Sequence, residues 1–168
     1  TLEPQLGVVE LDLETNLVLA DIPGLLEGAH RGVGLGDSFL RHVQRTRVLI
    51  HVLDGLSSDP VADFTQINSE LALFDPALGE KRQIVAFNKM DLPEVKERWL
   101  EVKAVLEAHD YQVMPISALA RTGLEPLLWK AAELLKTAPL PQPVETLPLY
   151  RAQEDRRAFT IKRVSEGW

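Results

Sequence analysis

Short, nearly continuous apolar runs alternate with amphipathic stretches over residues 1–137, the pattern of a sheet covered by helices on both faces. Val48-Leu49-Ile50-His51-Val52-Leu53, Ile84-Val85-Ala86-Phe87 and Val113 to Ile116 are rich in β-branched residues, as befits parallel strands buried on both faces. Leu6–Leu11 and Leu17–Ala20 flank a polar turn at Glu14-Thr15-Asn16 and read as an antiparallel hairpin on one edge. Between the runs lie stripes at three-and-four spacing: Phe39, Leu40, Val43; Val61, Phe64, Ile67, Leu71, Phe74; Val95, Trp99, Val102, Leu106; and Leu124, Leu127, Leu128, Ala131, Leu135. Helical burial accounts for them as core rather than as a cofactor-binding surface. Thr122 and Glu125 predict a capping box before the last helix.

A chain of 168 residues can hold one domain, or one domain and part of another. Prolines 139, 141, 143 and 148 mark residues 139–149 as an extended linker between a domain over 1–138 and a second that begins at 150–168. The alternating stretch Ala158 to Val164 reads as one strand of that second, α+β domain, too short to stand alone. The opening Thr1-Leu2-Glu3-Pro4 has neither an initiator Met nor a basic and apolar leader, and reads as the interior of a longer chain. With no cysteine, disulfides, thiolate metal sites and thiol catalysis are excluded, and a cytoplasmic setting fits. No run approaches a membrane span. Net charge is −7, but residues 151–168 carry a local excess of basic groups, so the body is acidic and any nucleic-acid contact must use a local patch.

Asn88-Lys89-Met90-Asp91 directly follows the apolar run 84–87, and Ser117-Ala118-Leu119 follows the next strand. Together these predict the base-reading loops of a GTP-binding protein. A carboxylate at Asp91 can accept from both the N1–H and the exocyclic amine of guanine, whereas adenine offers an acceptor there and leaves the carboxylate unpaired. A site built around such a bond rejects the analogue by roughly 10⁴-fold or more. In this reading Asn88 ties the loops, the Lys89 stem lies over the base plane and the Ala118 N–H donates to O6. The competing reading is a surface turn in which Asp91 caps a helix running through Pro93.

Asp21-Ile22-Pro23-Gly24 closes the strand Leu17–Ala20. A carboxylate at a strand's carboxyl end sits where ligands bind in doubly wound sheets. Asp21 is expected to hold Mg²⁺ through water, and Gly24, lacking a Cβ, to bring its N–H to a terminal phosphate. Seen alone, the tetrapeptide is also an ordinary turn. Residues 27–36 hold four glycines, a backbone that a ligand can order. They do not form the dinucleotide fingerprint, because Gly32, Gly34 and Gly36 are spaced G-x-G-x-G. Arg41 and Arg45 share a helical face with Arg31 and Arg47 nearby, either a patch for RNA phosphate or a solvated face.

The string from Asp21 through Arg47, with DIPGLLEGAH, GVGLG and FLRHVQRTR, resembles the Obg family of ribosome-associated GTPases, and the resemblance extends over essentially the whole chain. It implies a P-loop NTPase-like, doubly wound, mostly parallel sheet. It implies a GTP- and GDP-binding switch that uses Mg²⁺ and hydrolyses GTP slowly, acting in large ribosomal subunit assembly and in stress or growth control. The large ribosomal subunit would be its partner and guanosine tetraphosphate a further ligand; a monomer is expected. Residues 1–7 resemble the end of the family's first switch, with Gln5 where the family usually has Asn; by that match Thr1 would be a Mg²⁺ ligand beside Asp21. The tail from Glu145 to Trp168 resembles the lead into the family's C-terminal domain.

Two parts of the GTPase pattern are missing. No Gly is followed by Lys anywhere, so the phosphate cradle G-x-x-x-x-G-K-[ST] and the first strand, which precedes it in the family, are not in this chain. The absent strand would lie between those ending near Ala20 and Leu53. Residues 1–168 alone are therefore expected to fold poorly and to lack activity. Leu25 stands where many small GTPases carry the glutamine that orients the attacking water, and no catalytic residue can be named. Two rivals remain open on the residues alone: a module that binds nucleotide or a partner without chemistry, and an adenine-nucleotide enzyme on the same sheet.

Overall fold

The computed structural model describes residues 5–21, 46–74 and 76–139. Elements follow in the order β1 (Leu6–Glu10), β2 (Asn16–Ala20), β3 (Val48–Asp54), α1 (Pro60–Phe74), α2 (Pro76–Gly79), β4 (Arg82–Asn88), α3 (Pro93–Glu107), β5 (Gln112–Pro115) and α4 (Leu124–Thr137). Strands β3, β4 and β5 form a parallel sheet with β4 in the middle, and β1 pairs with β2 antiparallel. The expected α/β class and hairpin are present. The Phe39-Leu40-Val43 stripe, the residues from 140 onward and the Arg31, Arg41 and Arg45 positions lie outside the described residues.

Strand β4 is buried on both faces because each face has its own apolar layer. Ile84, Val85, Ala86 and Phe87 are 0% exposed. With side chains alternating along a strand, Val85 and Phe87 join Leu53, Val113 and Phe64 of α1 and Val95, Val102 and Leu106 of α3. Ile84 and Ala86 point the other way, to Leu127, Ala131 and Ala132 of α4, with Leu17 and Ile116. The stripes on α1, α3 and α4 thus serve as core among the described residues, within a three-layer arrangement. The four-residue helix α2, which buries Leu78, has no periodicity to announce it.

Strand β3 departs from the expectation of burial on both faces: Val52 is 55% exposed, since β3 is an edge of the three-stranded sheet among the described residues. The hairpin forms as expected: its strands bond to one another as a two-stranded antiparallel sheet, separate from the parallel one among the described residues. Leu17 attaches it to the core, while Leu6, Val8 and Val18 remain exposed. Its turn is organised by Asp12, whose Oδ1 accepts the N–H groups of Glu14 (2.8 Å) and Thr15 (2.6 Å).

Helix α4 does not use the expected capping box. Its N-cap is Gly123, at φ 73°, and no side chain caps it. The backbone of Thr122 is engaged in reciprocal hydrogen bonds with Ser117, and any Cβ at Gly123 would run into the Pro115 carbonyl oxygen. At the other end Arg47 Nη2 donates to the carbonyls of Leu135 (2.6 Å) and Ala138 (2.5 Å) and Nε to that of Pro139 (3.3 Å). A cation at a helix C-terminus is favoured by the helix dipole. Arg47 therefore closes α4, a use that neither a patch for RNA phosphate nor a solvated face had described.

His51 of β3 stacks on Phe64 at 4.8 Å, and its Nε2 has no hydrogen-bond partner. Burial pushes the imidazole down to about 4, with the nearby Gln83 a smaller, opposing influence. The unfolded chain, with an ordinary value near 6.5, takes up this proton first as pH falls. Stability from the neutral ring is therefore complete above pH 6.5 and is lost progressively down to pH 4. Between pH 7.5 and 5.0 the loss should be about 2 kcal/mol. Hydrogen exchange of β3 and β4 amides in the full-length protein, corrected for intrinsic rates, should show this fall, and His51→Leu should flatten it.

Candidate functional site

In-register pairing sets Asp54 of β3 beside Asn88 of β4, and Phe87 beside Pro115 of β5, so three strands end along one rim. The carboxyl ends of parallel strands are where ligands bind in such sheets. Two loops leave this rim, one at Asn88–Leu92 and one at Ile116–Gly123.

A single side-chain oxygen joins them. Asn88 Oδ1 accepts the N–H of Lys89 at 2.8 Å and the N–H of Ala118 at 2.9 Å. The Met90 N–H donates to the Ile116 carbonyl at 3.0 Å, a second tie. Lys89 adopts φ 69°, a left-handed conformation that lets the chain turn sharply off β4. The Ala118 N–H, expected to face a base oxygen, is here directed at Asn88. Met90, counted from sequence among the ligand-binding residues, packs its side chain against the β4–α3 core.

Asp91 faces the second loop. Ser117 Oγ donates to its Oδ1 at 2.5 Å and in turn accepts the Ala120 N–H at 3.0 Å. Ser117 is 0% exposed, so this hydroxyl is fixed between a carboxylate and a backbone amide. The Ser117 hydroxyl, followed by Asp91's own backbone N–H, holds the Asp91 carboxyl below the usual carboxylate range, and Lys96 and Lys89 lower it further. A carboxylate has about four lone-pair sites, so with Ser117 on one oxygen Asp91 can still accept a pair of N–H donors. The competing role as a helix cap does not survive: α3 is capped by Leu92 with Pro93 following, and no side chain bonds the helix start. Leu119 stands at the rim, 87% exposed.

Asp21 follows β2, is exposed, and extends the hairpin pairing through its N–H to the Gln5 carbonyl at 2.8 Å. Thr1, Ile22, Pro23 and Gly24 lie outside the described residues. Among the described residues no three His, Asp or Glu side chains gather as a metal cluster. A lone exposed carboxylate suits Mg²⁺, which is held by one or two carboxylates plus phosphate oxygens and water rather than by an all-protein cage.

The sequence reading passed over residues that reach this rim. Lys89 Nζ donates to Asp54 Oδ2 at 2.7 Å. The Gly55 N–H donates to the Asn88 carbonyl at 3.3 Å, a closeness at which a side chain would collide with Val95 and that carbonyl. Arg98 of α3 donates to the carbonyls of Gly55, Ser57 and Ser58. Asp54 carries the same signal that singled out Asp21, a carboxylate closing an apolar strand.

The sequence profile of 50S ribosome-binding GTPases matches residues 1–89. Two GTPases called Obg match most or all of the chain. That of Roseiflexus castenholzii is 48% identical over 100% of this chain and 39% of its own length. That of Symbiobacterium thermophilum is 49% identical over 92% of this chain and 38% of its own. The chain thus spans about two fifths of the length of these relatives. Among solved structures, Era in complex with MgGDPNP and nucleotides 1506-1542 of 16S ribosomal RNA shares the fold. It has a TM-score of 0.58 and 21% identity, over 86% of this chain and 47% of that one.

Removing the Ser117 hydroxyl should release Asp91 from its main stabilising donor. In Ser117→Ala the Asp91 carboxyl should titrate at higher pH than in the unaltered protein, read by carboxyl-carbon NMR; an unmoved titration would refute the assignment.

Proposed function

The chain belongs to the 50S ribosome-binding GTPase family, in its Obg group, and from that premise we propose that its rim loops hold the guanine base of GTP and GDP. The observation that carries this reading is the pair of loops fastened through Asn88 Oδ1, with Asp91 kept ionised by Ser117. A preset, charged acceptor loses little on binding, because neither loop nor carboxylate has to be ordered by the ligand. Asp91 accepts the N1–H and 2-amino donors, the Lys89 stem covers one face of the base, and Leu119 offers apolar surface at the edge.

Asp21, with Thr1 by family resemblance, holds Mg²⁺ at the phosphates, and Ile22, Pro23 and Gly24 meet the terminal phosphate. When bound, the ion neutralises charge building on the β- and γ-phosphate oxygens. The full-length protein is then a GTP-dependent switch with slow intrinsic hydrolysis. It acts on the large ribosomal subunit in the cytoplasm as a monomer, and responds to guanosine tetraphosphate. In the same reading residues 139–149 link to a C-terminal domain. Among the described residues no helix is long and apolar enough to cross a membrane.

Competition binding on the full-length protein tests the base site. GTP should displace labelled GDP at far lower concentration than ATP. Asp91→Asn should lose that preference and gain affinity for xanthine nucleotides, whose 2-oxygen accepts from an amide where guanine's 2-amino group cannot. A variant that keeps its guanine preference would exclude Asp91 as the reader.

Single-turnover hydrolysis tests the switch. Turnover without a partner should be slow, on the order of 10⁻⁴ to 10⁻² s⁻¹ as for GTPases lacking a trans-acting activator. Fast turnover of the isolated protein would contradict it, and tight GTP binding with no turnover at all would leave a silent nucleotide-binding module.

A further inference from the structure

The turn after β3 is built as firmly as the two base loops, yet no part of the guanine reading uses it. Asp54 Oδ1 accepts the Leu56 N–H at 2.9 Å, and the Asp54 carbonyl accepts the Ser57 N–H at 3.0 Å. Arg98 gathers three carbonyls of the same turn, and Gly55 lets it lie against the Asn88 carbonyl. From this scaffold Asp54 Oδ2 receives the Lys89 ammonium at 2.7 Å. That hydrogen bond is the main reason the Asp54 carboxyl lies below its ordinary range.

Stability does not account for the arrangement. The side chains of Lys89 and Asp54 are 40% and 50% exposed, and exposed pairs add little to folding. What the pair does is geometric. Lysine is a flexible four-carbon stem with a mobile head, and Lys89 starts from left-handed backbone at the end of β4. Fixing its ammonium on β3 stretches the stem toward that strand, while Asp91 reaches toward the β5 loop. The stem and the acceptor therefore flank the rim from opposite sides.

We propose that Asp54 is a positioning residue for nucleotide binding. By anchoring the Lys89 ammonium it holds the lysine stem as a preset wall for the base, so that this side chain need not be ordered when the nucleotide enters. The inference rests on the guanine reading above. Asp54 acts on affinity through Lys89, and discrimination among purines stays with Asp91.

Equilibrium binding of GDP and IDP to the full-length protein, with Asp54→Asn, Asp54→Glu, Lys89→Met and the Asp54→Asn/Lys89→Met double variant, tests it. Asp54→Asn should weaken GDP about 3- to 10-fold, in the lower part of the coupling found between contacting side chains, and Asp54→Glu should recover part of the loss. In the Lys89→Met background Asp54→Asn should have no further effect. The GDP-to-IDP affinity ratio and the melting temperature of the nucleotide-free protein should match the parent in Asp54→Asn. Unchanged GDP affinity in Asp54→Asn, an equal loss in the Lys89→Met background, or a shifted GDP-to-IDP ratio would each overturn the proposal while leaving the guanine site standing. Failure of the unaltered protein to bind GDP would overturn both.

Discussion

The rest of the described structure depends on β4 having water on neither face. Four successive residues, Ile84 to Phe87, are fully buried between α1 and α3 on one side and α4 with Leu17 on the other. Ile84, Val85 and Phe87 each contribute roughly 1.5–3 kcal/mol when removed from water, and Ala86 less. More important for function, a strand enclosed on both faces cannot slide: moving it by one residue would exchange its two sets of side chains between layers. Beyond this apolar stretch the next polar group on β4 stands at its carboxyl end, and that group is Asn88.

From that fixed point the site is assembled largely by hydrogen bonds from backbone donors. The Asn88 carboxamide oxygen takes one N–H from each loop, Ser117 joins the Asp91 carboxylate to the Ala120 amide, and Gly55 brings the β3 turn against the Asn88 carbonyl. Three strands thus contribute to one rigid rim, with an anionic acceptor facing β5 and a cationic stem tied to β3. The charges are arranged so that each has a partner before any ligand arrives: Lys89 has Asp54, and Asp91 has a hydroxyl that favours its ionised form. Preorganisation of this kind places the ordering cost in folding instead of binding.

Much of this was legible because periodicity and strand-end position are local properties. The stripes Val95, Trp99, Val102, Leu106 and Leu124, Leu127, Leu128, Ala131, Leu135 mark their helices, and Asn88 to Asp91 is meaningful because it follows an apolar run. The errors came where one group had two uses and only packing chose between them. Thr122 looks like a helix cap, but its backbone is taken by Ser117, and Gly123 caps instead. Arg47 looks like part of a basic surface, but its guanidinium lies within reach of three carbonyls at the end of α4. Val52 looks like a residue of a doubly covered strand, but among the described residues β3 is an edge.

By itself the sequence determined the α/β class, the described strands, the three longer helices and the residue types at the β4 and β5 ends, because hydrophobic period and short motifs act over a few neighbouring positions. Only the tertiary structure decided which partner each polar group takes. The pairing of Lys89 with Asp54, 35 residues away, the hold of Ser117 on Asp91, and the closing of α4 by Arg47 all join positions far apart in the chain. Hydrogen bonds and ion pairs are set by distances of about 3 Å, and such distances between remote residues exist only once the strands are in register and the layers are packed.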